Sequence, residues 1–380
     1  MKIGRILVGL IAVVIVALGL LQVTDNQYLV TALQRTYLAG NETANINDHE
    51  VFATRVIKGG NVQPWPQAAG GLRPLPEELL TFLSDNDAIA FLALHRGEVV
   101  AEQYLQGYTA ESRTNSFSMA KTVLTLLLGI AIEEGRVEGL EQPLLDWLPE
   151  FSEDPNARLA SLGSLSAMTS GYEWDERYYS ALSPTVKLVY GDDVTDFVLD
   201  GEFSKTPESY FYYSSASTQL LATTLARALQ QSDPEATLSG YLSEKLWQPL
   251  GMDADGLWHL DNSGMELAFC CINTSARNFA RFGQLMLQDG VWEGQQLVPT
   301  AFVEAMRSVR GAPDYGLSTW LNTENEPAFY SLRGHLGQYV VVVPEYDLVI
   351  VRLGESRAVE RETMEEVLPF YIEQVLSVLH

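Results

Sequence analysis

The stretch Asn115–Gly129, NSFSMAKTVLTLLLG, predicts a turn that leads into a helix whose first turn carries Ser118 and Lys121. Residues three apart lie on one face of a helix, with Cβ atoms roughly 5–6 Å apart. Beside the apolar run Val123–Leu128 the lysine would lose hydration, which lowers the pKa of its ammonium group and makes a neutral amine accessible. Such an amine can accept the proton of a serine hydroxyl, which is a weak nucleophile by itself. The helix N-terminus would favour an oxyanion forming beside the serine.

The pattern Ser-x-x-Lys is short, and a serine helix cap followed by an ordinary surface lysine explains these four residues equally well. The chain has six lysines, and only Lys121 has a serine three residues before it. The choice between a catalytic pair and a capped helix therefore depends on the rest of the chain.

The composition is that of a globular protein: 380 residues, 47% hydrophobic and 19% charged. The formal net charge of −25 disfavours nucleic acid and anionic lipid as partners, because both require a basic surface. The five histidines are scattered and no His-Glu-x-x-His motif occurs, so we expect no metal and no cofactor. No serine has glycine at both −2 and +2, so the nucleophile elbow of the α/β-hydrolases is absent.

The two cysteines, Cys270 and Cys271, are adjacent and cannot build a disulfide framework. They follow the apolar residues Leu267–Phe269, which favours a buried site with free thiols. A disulfide between the two neighbours is the less favoured alternative.

Residues 1–26 predict a membrane segment. The apolar run Ile6–Leu21 follows Lys2 and Arg5, and no small-x-small cleavage site comes after it. We therefore expect an uncleaved transmembrane helix in the cytoplasmic membrane, with a single pass and the remaining chain on the periplasmic or extracellular side. Secretion to the periplasm after signal cleavage is the alternative.

The rest of the chain predicts a linker over residues 27–75 and a single domain over residues 76–380. The linker region is rich in glycine and proline and lacks a lasting periodicity. In the domain, a strand pair is followed by a helical middle, a second set of strands and a terminal helix. This order predicts an α/β (α+β) fold. It consists of an antiparallel sheet from about 76–112 and 312–380, flanked by helices, with an inserted all-helical subdomain from about 113–311.

Two further stretches complete a set of three motifs. Tyr213-Ser214-Ser215 lies before a predicted helix, where a tyrosine can transfer protons beside a lysine, although tyrosine clusters more often serve packing. Gly334–Gln338, GHLGQ, enters a predicted strand. In this order the motifs resemble those of the serine β-lactamase and penicillin-recognising hydrolase superfamily, and most of all its class C-like esterases and 6-aminohexanoate-dimer hydrolases. The resemblance covers about residues 75–380 and includes MTSGYEWDE at 168–176 and ARNFARFG at 276–283.

The resemblance implies that Ser118 is the nucleophile, that Lys121 is its proton partner and that Tyr213 is a second proton-transfer group. It also implies an oxyanion hole made by the backbone N–H groups of Ser118 and Gln338. The residues expected to bind substrate are Ser215, His335, Gly337, Tyr172 and Trp174. The implied reaction is hydrolysis of a carbonyl substrate through an acyl-enzyme.

Two departures from the family pattern bear on the substrate. His335 stands where lactamases usually carry a lysine that binds a substrate carboxylate, and histidine is mostly neutral at pH 7. Ser215 stands where asparagine is common. We therefore expect a small-molecule carboxylic ester or small amide as substrate. β-Lactamase or D-alanyl-D-alanine carboxypeptidase activity is the alternative, and a non-catalytic cell-wall or ligand-sensing domain is the alternative of another class.

Overall fold

The computed structural model describes residues 16, 19–41, 43–356 and 364–379. The helices are α1 (Tyr28–Arg35), α2 (Glu77–Asp85), α3 (Met119–Glu133), α4 (Leu162–Ser166), α5 (Pro184–Tyr190), α6 (Val194–Leu199), α7 (Ser215–Gln230), α8 (Leu238–Leu242), α9 (Ala276–Leu287), α10 (Thr300–Met306) and α11 (Met364–Leu379). The strands are β1 (Thr54–Ile57), β2 (Ala88–His95), β3 (Glu98–Tyr104), β4 (Thr114–Asn115), β5 (Gly256–His259), β6 (Ile272–Thr274), β7 (Val291–Trp292), β8 (Gln295–Gln296), β9 (Trp320–Asn322), β10 (Phe329–Gly334), β11 (Gln338–Val343) and β12 (Leu348–Gly354).

The main sheet is antiparallel and has the strand order β3-β2-β12-β11-β10-β9. Its central strands are apolar at nearly every position because both of its faces are covered. The early strand pair joins the late strands through β2 and β12, where Leu92 lies opposite Val351. The predicted closure of the sheet by these two groups of strands is therefore confirmed.

Helices cover both faces of this sheet. On one face, Leu79 of α2 and Tyr371 of α11 share a core with Val341. On the other face, α9 lies so close that a Cβ at Gly283 would be 2.6 Å from Cγ1 of Val340. The close approach needs a residue without a side chain, which explains the glycine in the middle of this helix.

A second, four-stranded sheet has the order β1-β5-β6-β4 and leads directly to the Ser118 turn. In it, β4 pairs with β6 and places Asn115 opposite Asn273. The predicted all-helical insert is therefore wrong in this detail, because β5 and β6 lie within it. Strands of three or four residues are too short to display the alternating pattern from which strands are predicted.

The segment for which the sequence predicts a linker carries α1 and β1. Its side chains Tyr28, Ile46 and Ile57 are buried in the same core as the helical region. Strand β1 pairs with β5 over four residues, with Ile57 opposite Gly256. The limits proposed for the domain stay a prediction, but these contacts attach the segment to the second sheet.

The predicted transmembrane anchor is wrong for the part of the chain that the structure describes. No helix among those residues is long and apolar enough to cross a membrane. Of the predicted apolar run, Val16 and residues 19–21 are described. The other residues of Ile6–Leu21 lie outside the described part. The predicted single-pass location in the cytoplasmic membrane is overturned with the anchor.

The packing of β1 generates a stability prediction. Replacing the fully buried Ile57 with alanine should lower the free energy of unfolding by about 2–4 kcal/mol, because the deletion leaves a cavity. The control is Val56→Ala, whose side chain is 40% exposed and whose loss should cost less than about 0.5 kcal/mol. Urea unfolding followed by tryptophan fluorescence measures both. Equal midpoints for the two variants would contradict the observed packing of the segment.

Candidate active site

Ser118 lies at the start of α3, after a tight turn that connects it to β4. Phe117 adopts a positive φ of 43°, a strained conformation for a residue with a side chain. The turn is fixed from both sides: the Phe117 N–H donates to Oδ1 of Asn115 at 2.8 Å, and the Ser116 N–H donates to the Ile272 carbonyl at 2.7 Å. Because β4 and β6 hold the turn, the position of Ser118 is set by the second sheet.

Lys121 is 1% exposed and contacts three oxygens. Its Nζ lies 3.0 Å from Oγ of Ser118, 3.2 Å from Oγ of Ser215 and 2.8 Å from the carbonyl oxygen of Phe269. Burial lowers the pKa of Lys121 to about 8, and the negative charge of Glu176 opposes this shift. The predicted catalytic pair is thus brought together, with its amine out of water as the sequence implied.

Helix α7 begins at Ser215, beside the amine of Lys121. Both polar groups of Ser215 are held by one carboxylate: its N–H donates to Oε2 of Glu176 at 2.8 Å, and its Oγ donates to Oε1 at 2.6 Å. Two more donors reach the same carboxylate, Nε1 of Trp174 at 2.6 Å and the hydroxyl of Tyr178 at 2.9 Å. Four donors therefore hold the carboxylate of Glu176, and the hydroxyl of Ser215 links this carboxylate to the amine of Lys121.

The donors and acceptors around Lys121 give the network a direction. The carbonyl of Phe269 can only accept, and the hydroxyl of Ser215 already uses its proton on Glu176, so it too can only accept from Nζ. When Lys121 is neutral, its two N–H groups satisfy these two oxygens. Its lone pair is then left for the hydroxyl proton of Ser118.

Tyr213 is also brought to the site. The centroid of its ring lies 5.0 Å from Nζ of Lys121, which is within reach of a cation–π interaction. The ring is stacked on Trp320 at 5.6 Å and meets Tyr315 edge-on at 6.2 Å. The second predicted motif therefore lies beside the first, and its tyrosine is held by aromatic packing.

The third predicted motif adjoins the Ser118 turn. A Cβ at Gly334 would lie 2.3 Å from the carbonyl oxygen of Ser116, so only glycine permits this approach. Gln338 then begins β11. Its Nε2 donates to the Gly354 carbonyl at 2.7 Å, and its Oε1 accepts from the Gly354 N–H at 3.2 Å. The side chain of Gln338 is thus engaged in the sheet.

A mostly apolar cavity of about 80 Å³ lies next to these groups, and Ser118, Ser215 and His335 line it. The His335 ring lies against Phe117 edge-on at 5.5 Å, and its Nε2 lies 3.3 Å from the hydroxyl of Tyr179. Within the described part of the chain, no lysine or arginine lines this cavity. The described residues that line the cavity therefore include no fixed cation.

Three residues predicted to bind substrate are placed elsewhere. Tyr172 is buried, and its hydroxyl donates to the Val198 carbonyl at 2.8 Å. Gly337 packs against Arg352, whose Nη1 donates to the Gly337 carbonyl at 2.9 Å. Trp174 contacts Glu176 through its indole N–H. None of these three is among the described residues that line the cavity. Tyr178 lines it instead of the predicted Tyr172 and Trp174.

Cys270 and Cys271 are joined as a disulfide, which corrects the expected pair of free thiols. The two residues line the cavity and follow Phe269, whose carbonyl accepts from Lys121. Cys271 has a positive φ of 78°. The sequence offers no signal for the pairing, because adjacent cysteines are compatible with either redox state.

Sequence reasoning missed Glu176 and the Phe269 carbonyl. Glu176 lies in the MTSGYEWDE stretch, but its position there does not reveal which of several acidic residues turns inward. A backbone carbonyl has no signature in a sequence. Among the described residues no group of three or more His, Cys, Asp or Glu side chains is arranged to hold a metal ion.

The fold and this site define a serine hydrolase of the β-lactamase class. A sequence model of the β-lactamase family matches residues 84–366, so the chain belongs to this family. It is similar to the 6-aminohexanoate-dimer hydrolase of Paenarthrobacter ureafaciens, with 29% identity over 291 residues that make up 70% of this chain and 72% of the relative. The chain is therefore an enzyme, a β-lactamase-like serine hydrolase.

Solved structures agree on the fold. A Bacillus anthracis protein described as a 6-aminohexanoate-dimer hydrolase superposes with a TM-score of 0.74 at 23% identity, covering 92% of this chain and 93% of that one. A family VIII carboxylesterase superposes with a TM-score of 0.57 at 14% identity, covering 75% of this chain and 93% of that one.

Proposed function

We propose that this enzyme hydrolyses a carboxylic ester or small amide through a covalent acyl-enzyme on Ser118. In the first step, Oγ of Ser118 attacks the carbonyl carbon while its proton passes to the neutral amine of Lys121. The alcohol or amine then leaves with a proton, and water attacks the acyl-enzyme in the second step. The observation that carries the proposal is the buried amine of Lys121 at 3.0 Å from Oγ of Ser118.

The proton has one favourable route in the first step. The Phe269 carbonyl accepts one hydrogen of the neutral amine. The Ser215 hydroxyl accepts the other, because its own proton is donated to Glu176. The lone pair of the amine therefore faces Ser118. With a pKa of about 8 for Lys121, a minor but useful fraction of the amine is neutral at pH 7. In this proposal Glu176 is a positioning residue that acts through Ser215.

The remaining roles follow from the placement of the other motifs. The backbone N–H groups of Ser118 and Gln338 would bind the oxyanion, and one such donor typically lowers the barrier by roughly 3 kcal/mol. Tyr213 would carry the proton to the leaving group, because its ring lies beside the same amine. The close packing of Gly334 on Ser116 supports the first role, since it brings the start of β11 to the Ser118 turn.

The cavity favours esters and small amides over β-lactams and D-alanyl-D-alanine peptides. Those two substrate classes present a carboxylate, which an adjacent cation would have to bind. His335 lines the cavity at the position expected for that cation, and no lysine or arginine of the described chain lines it. We therefore place β-lactam hydrolysis second.

Replacing Ser118 with alanine tests the nucleophile. We expect kcat/KM for p-nitrophenyl butyrate and for the matching p-nitroanilide to fall at least about 1,000-fold, because the variant cannot form an acyl-enzyme. Ser84→Ala is the matched control, since Ser84 is exposed on α2 and remote from the cavity. Circular dichroism establishes that both variants fold. Turnover that survives in Ser118→Ala at the wild-type level would contradict the proposal.

Replacing Glu176 with glutamine tests the direction of the proton network. The neutral side chain no longer raises the pKa of Lys121. The apparent pKa of the acid limb of the kcat/KM profile should therefore fall below its wild-type value of about 8. Because the hydroxyl of Ser215 is also released, kcat should fall about 10- to 100-fold.

The control for this test is Asp175→Asn, which removes the neighbouring carboxylate that pairs with the exposed Arg177. Its pH profile should match that of the wild type. A lower kcat in Glu176→Gln with an unmoved acid limb would mean that Glu176 only supports the loop, and the assigned electrostatic role would be wrong.

A further inference from the structure

We propose that residues 43–52, the N-terminal wall, close one side of the cavity beside Ser118. In this proposal the cavity receives the acyl group of the substrate, and the wall selects short aliphatic acyl groups that carry no negative charge. The inference rests on the proposed function, since it names the acyl group that Ser118 would accept. The segment lies outside the residues 84–366 that match the β-lactamase family, yet Thr43, Ala44, Asp48 and Phe52 line the cavity beside Ser118. Selectivity in this enzyme would therefore come from a part of the chain that the family domain does not contain.

The N-terminal wall is attached close to the nucleophile. The N–H of Asn115, three residues before Ser118, donates to the carbonyl of Ile46 at 2.8 Å. The side chain of Asp48 closes the wall on itself by accepting from N of Asn45 at 3.0 Å and from Nδ2 of Asn45 at 2.8 Å. With Ile46 and Asp48 both buried, the wall is part of the packed structure around the site.

Phe52 forms the firmest part of this wall. Its ring stacks on His259, with centroids 4.7 Å apart and planes inclined by 15°, and it contacts Tyr190 at 5.8 Å. The guanidinium of Arg35 lies 4.2 Å from the ring centroid. A side chain held by three neighbours cannot swing aside at little cost, so it limits how far an acyl chain can extend.

The size of the cavity favours a short chain. A cavity of roughly 150 Å³ lined by aliphatic and aromatic side chains holds one benzene molecule. The cavity here is about 80 Å³. Much of its remaining lining is apolar and includes Phe117, Val186, Val189 and the Cys270–Cys271 disulfide. These walls suit a few methylene groups better than a bulky polar substituent.

The charges around the cavity disfavour an anion. Burial lowers the pKa of His259 to about 3, so this histidine is neutral at pH 7. Burial raises the pKa of Asp48 to about 7, so the carboxyl that faces the pocket is neutral or negative there. Arg35 contacts the ring of Phe52, but no lysine or arginine of the described residues lines the cavity, so a substrate carboxylate there would lack a cationic partner in direct contact.

The test measures kcat/KM for p-nitrophenyl acetate, butyrate, hexanoate and octanoate with the wild type, Phe52→Ala and Val51→Ala. The wild type should prefer acetate or butyrate. Truncation of Phe52 should raise the ratio of hexanoate to butyrate turnover about 10-fold or more, because the two added methylenes gain about 1.6 kcal/mol of burial. Val51 is 41% exposed and does not line the cavity, so it is the matched control, whose profile should equal that of the wild type.

A second comparison uses butyrate against the half-ester of glutaric acid, which adds a terminal carboxylate. The wild type should favour the uncharged ester by at least about 10-fold. This factor corresponds to the lower end of the cost of burying a polar or charged group without a partner. If Phe52→Ala does not fold, Phe52→Leu replaces it, with a smaller shift in the same direction. A chain-length profile of either Phe52 variant that equals that of Val51→Ala, or a preference for the half-ester, would overturn the inference.

Calorimetry separates failure of this inference from failure of the proposed function. Acetamide, butyramide and hexanamide are titrated into Ser118→Ala with and without Phe52→Ala, so that binding is read without turnover. Tighter binding of hexanamide only in the Phe52 variant would support the N-terminal wall even if no ester were hydrolysed. Ester hydrolysis that depends on Ser118, together with equal amide binding by both proteins, would leave the proposed function standing and overturn the inference alone.

Discussion

The site depends on a lysine amine held away from water among three oxygens. Lys121 is surrounded by Ser118, Ser215 and Phe269, and burial alone would favour its neutral form. Glu176 supplies the opposing charge through Ser215. If the carboxylate were absent, the amine would be neutral over a wider pH range but less well oriented. If burial were absent, the lysine would stay protonated and could not accept a proton near pH 7.

Much of the fold serves to hold these groups together. The second sheet fixes the turn before Ser118 through β4 and β6, and the long buried helix α3 presents Lys121 one turn later. Helix α7 begins at Ser215, so its first residue meets the amine. The main sheet adds the start of β11, which Gly334 allows to approach the turn closely. Parts of both sheets and of two helices thus meet around Ser118 and Lys121, and small shifts in any of them would alter the distance from Nζ of Lys121 to Oγ of Ser118.

The sequence predicted those parts of the site that follow from local spacing. Ser118 and Lys121 are three apart on one helix, so helical geometry alone brings them together. Glu176 was not singled out because it reaches the site through a loop, and its inward orientation depends on Trp174 and Tyr178, which donate to it. The main sheet was predictable from its long apolar strands, whereas the short β1, β5 and β6 were not. For the same reason, the packing of residues 43–52 beside the nucleophile could not be foreseen.

The central claim is that Lys121 activates Ser118 as a neutral base, and the pH dependence of Ser118 modification tests it most directly. The rate of labelling by a fluorophosphonate probe would be measured from about pH 5 to about pH 10, and the labelled residue located by peptide mapping. The account predicts a single adduct on Ser118 whose rate rises and levels off with an apparent pKa of about 8, and the loss of this titration in Lys121→Ala. Labelling of Ser118 that rises without a plateau and is unchanged by Lys121→Ala would contradict it.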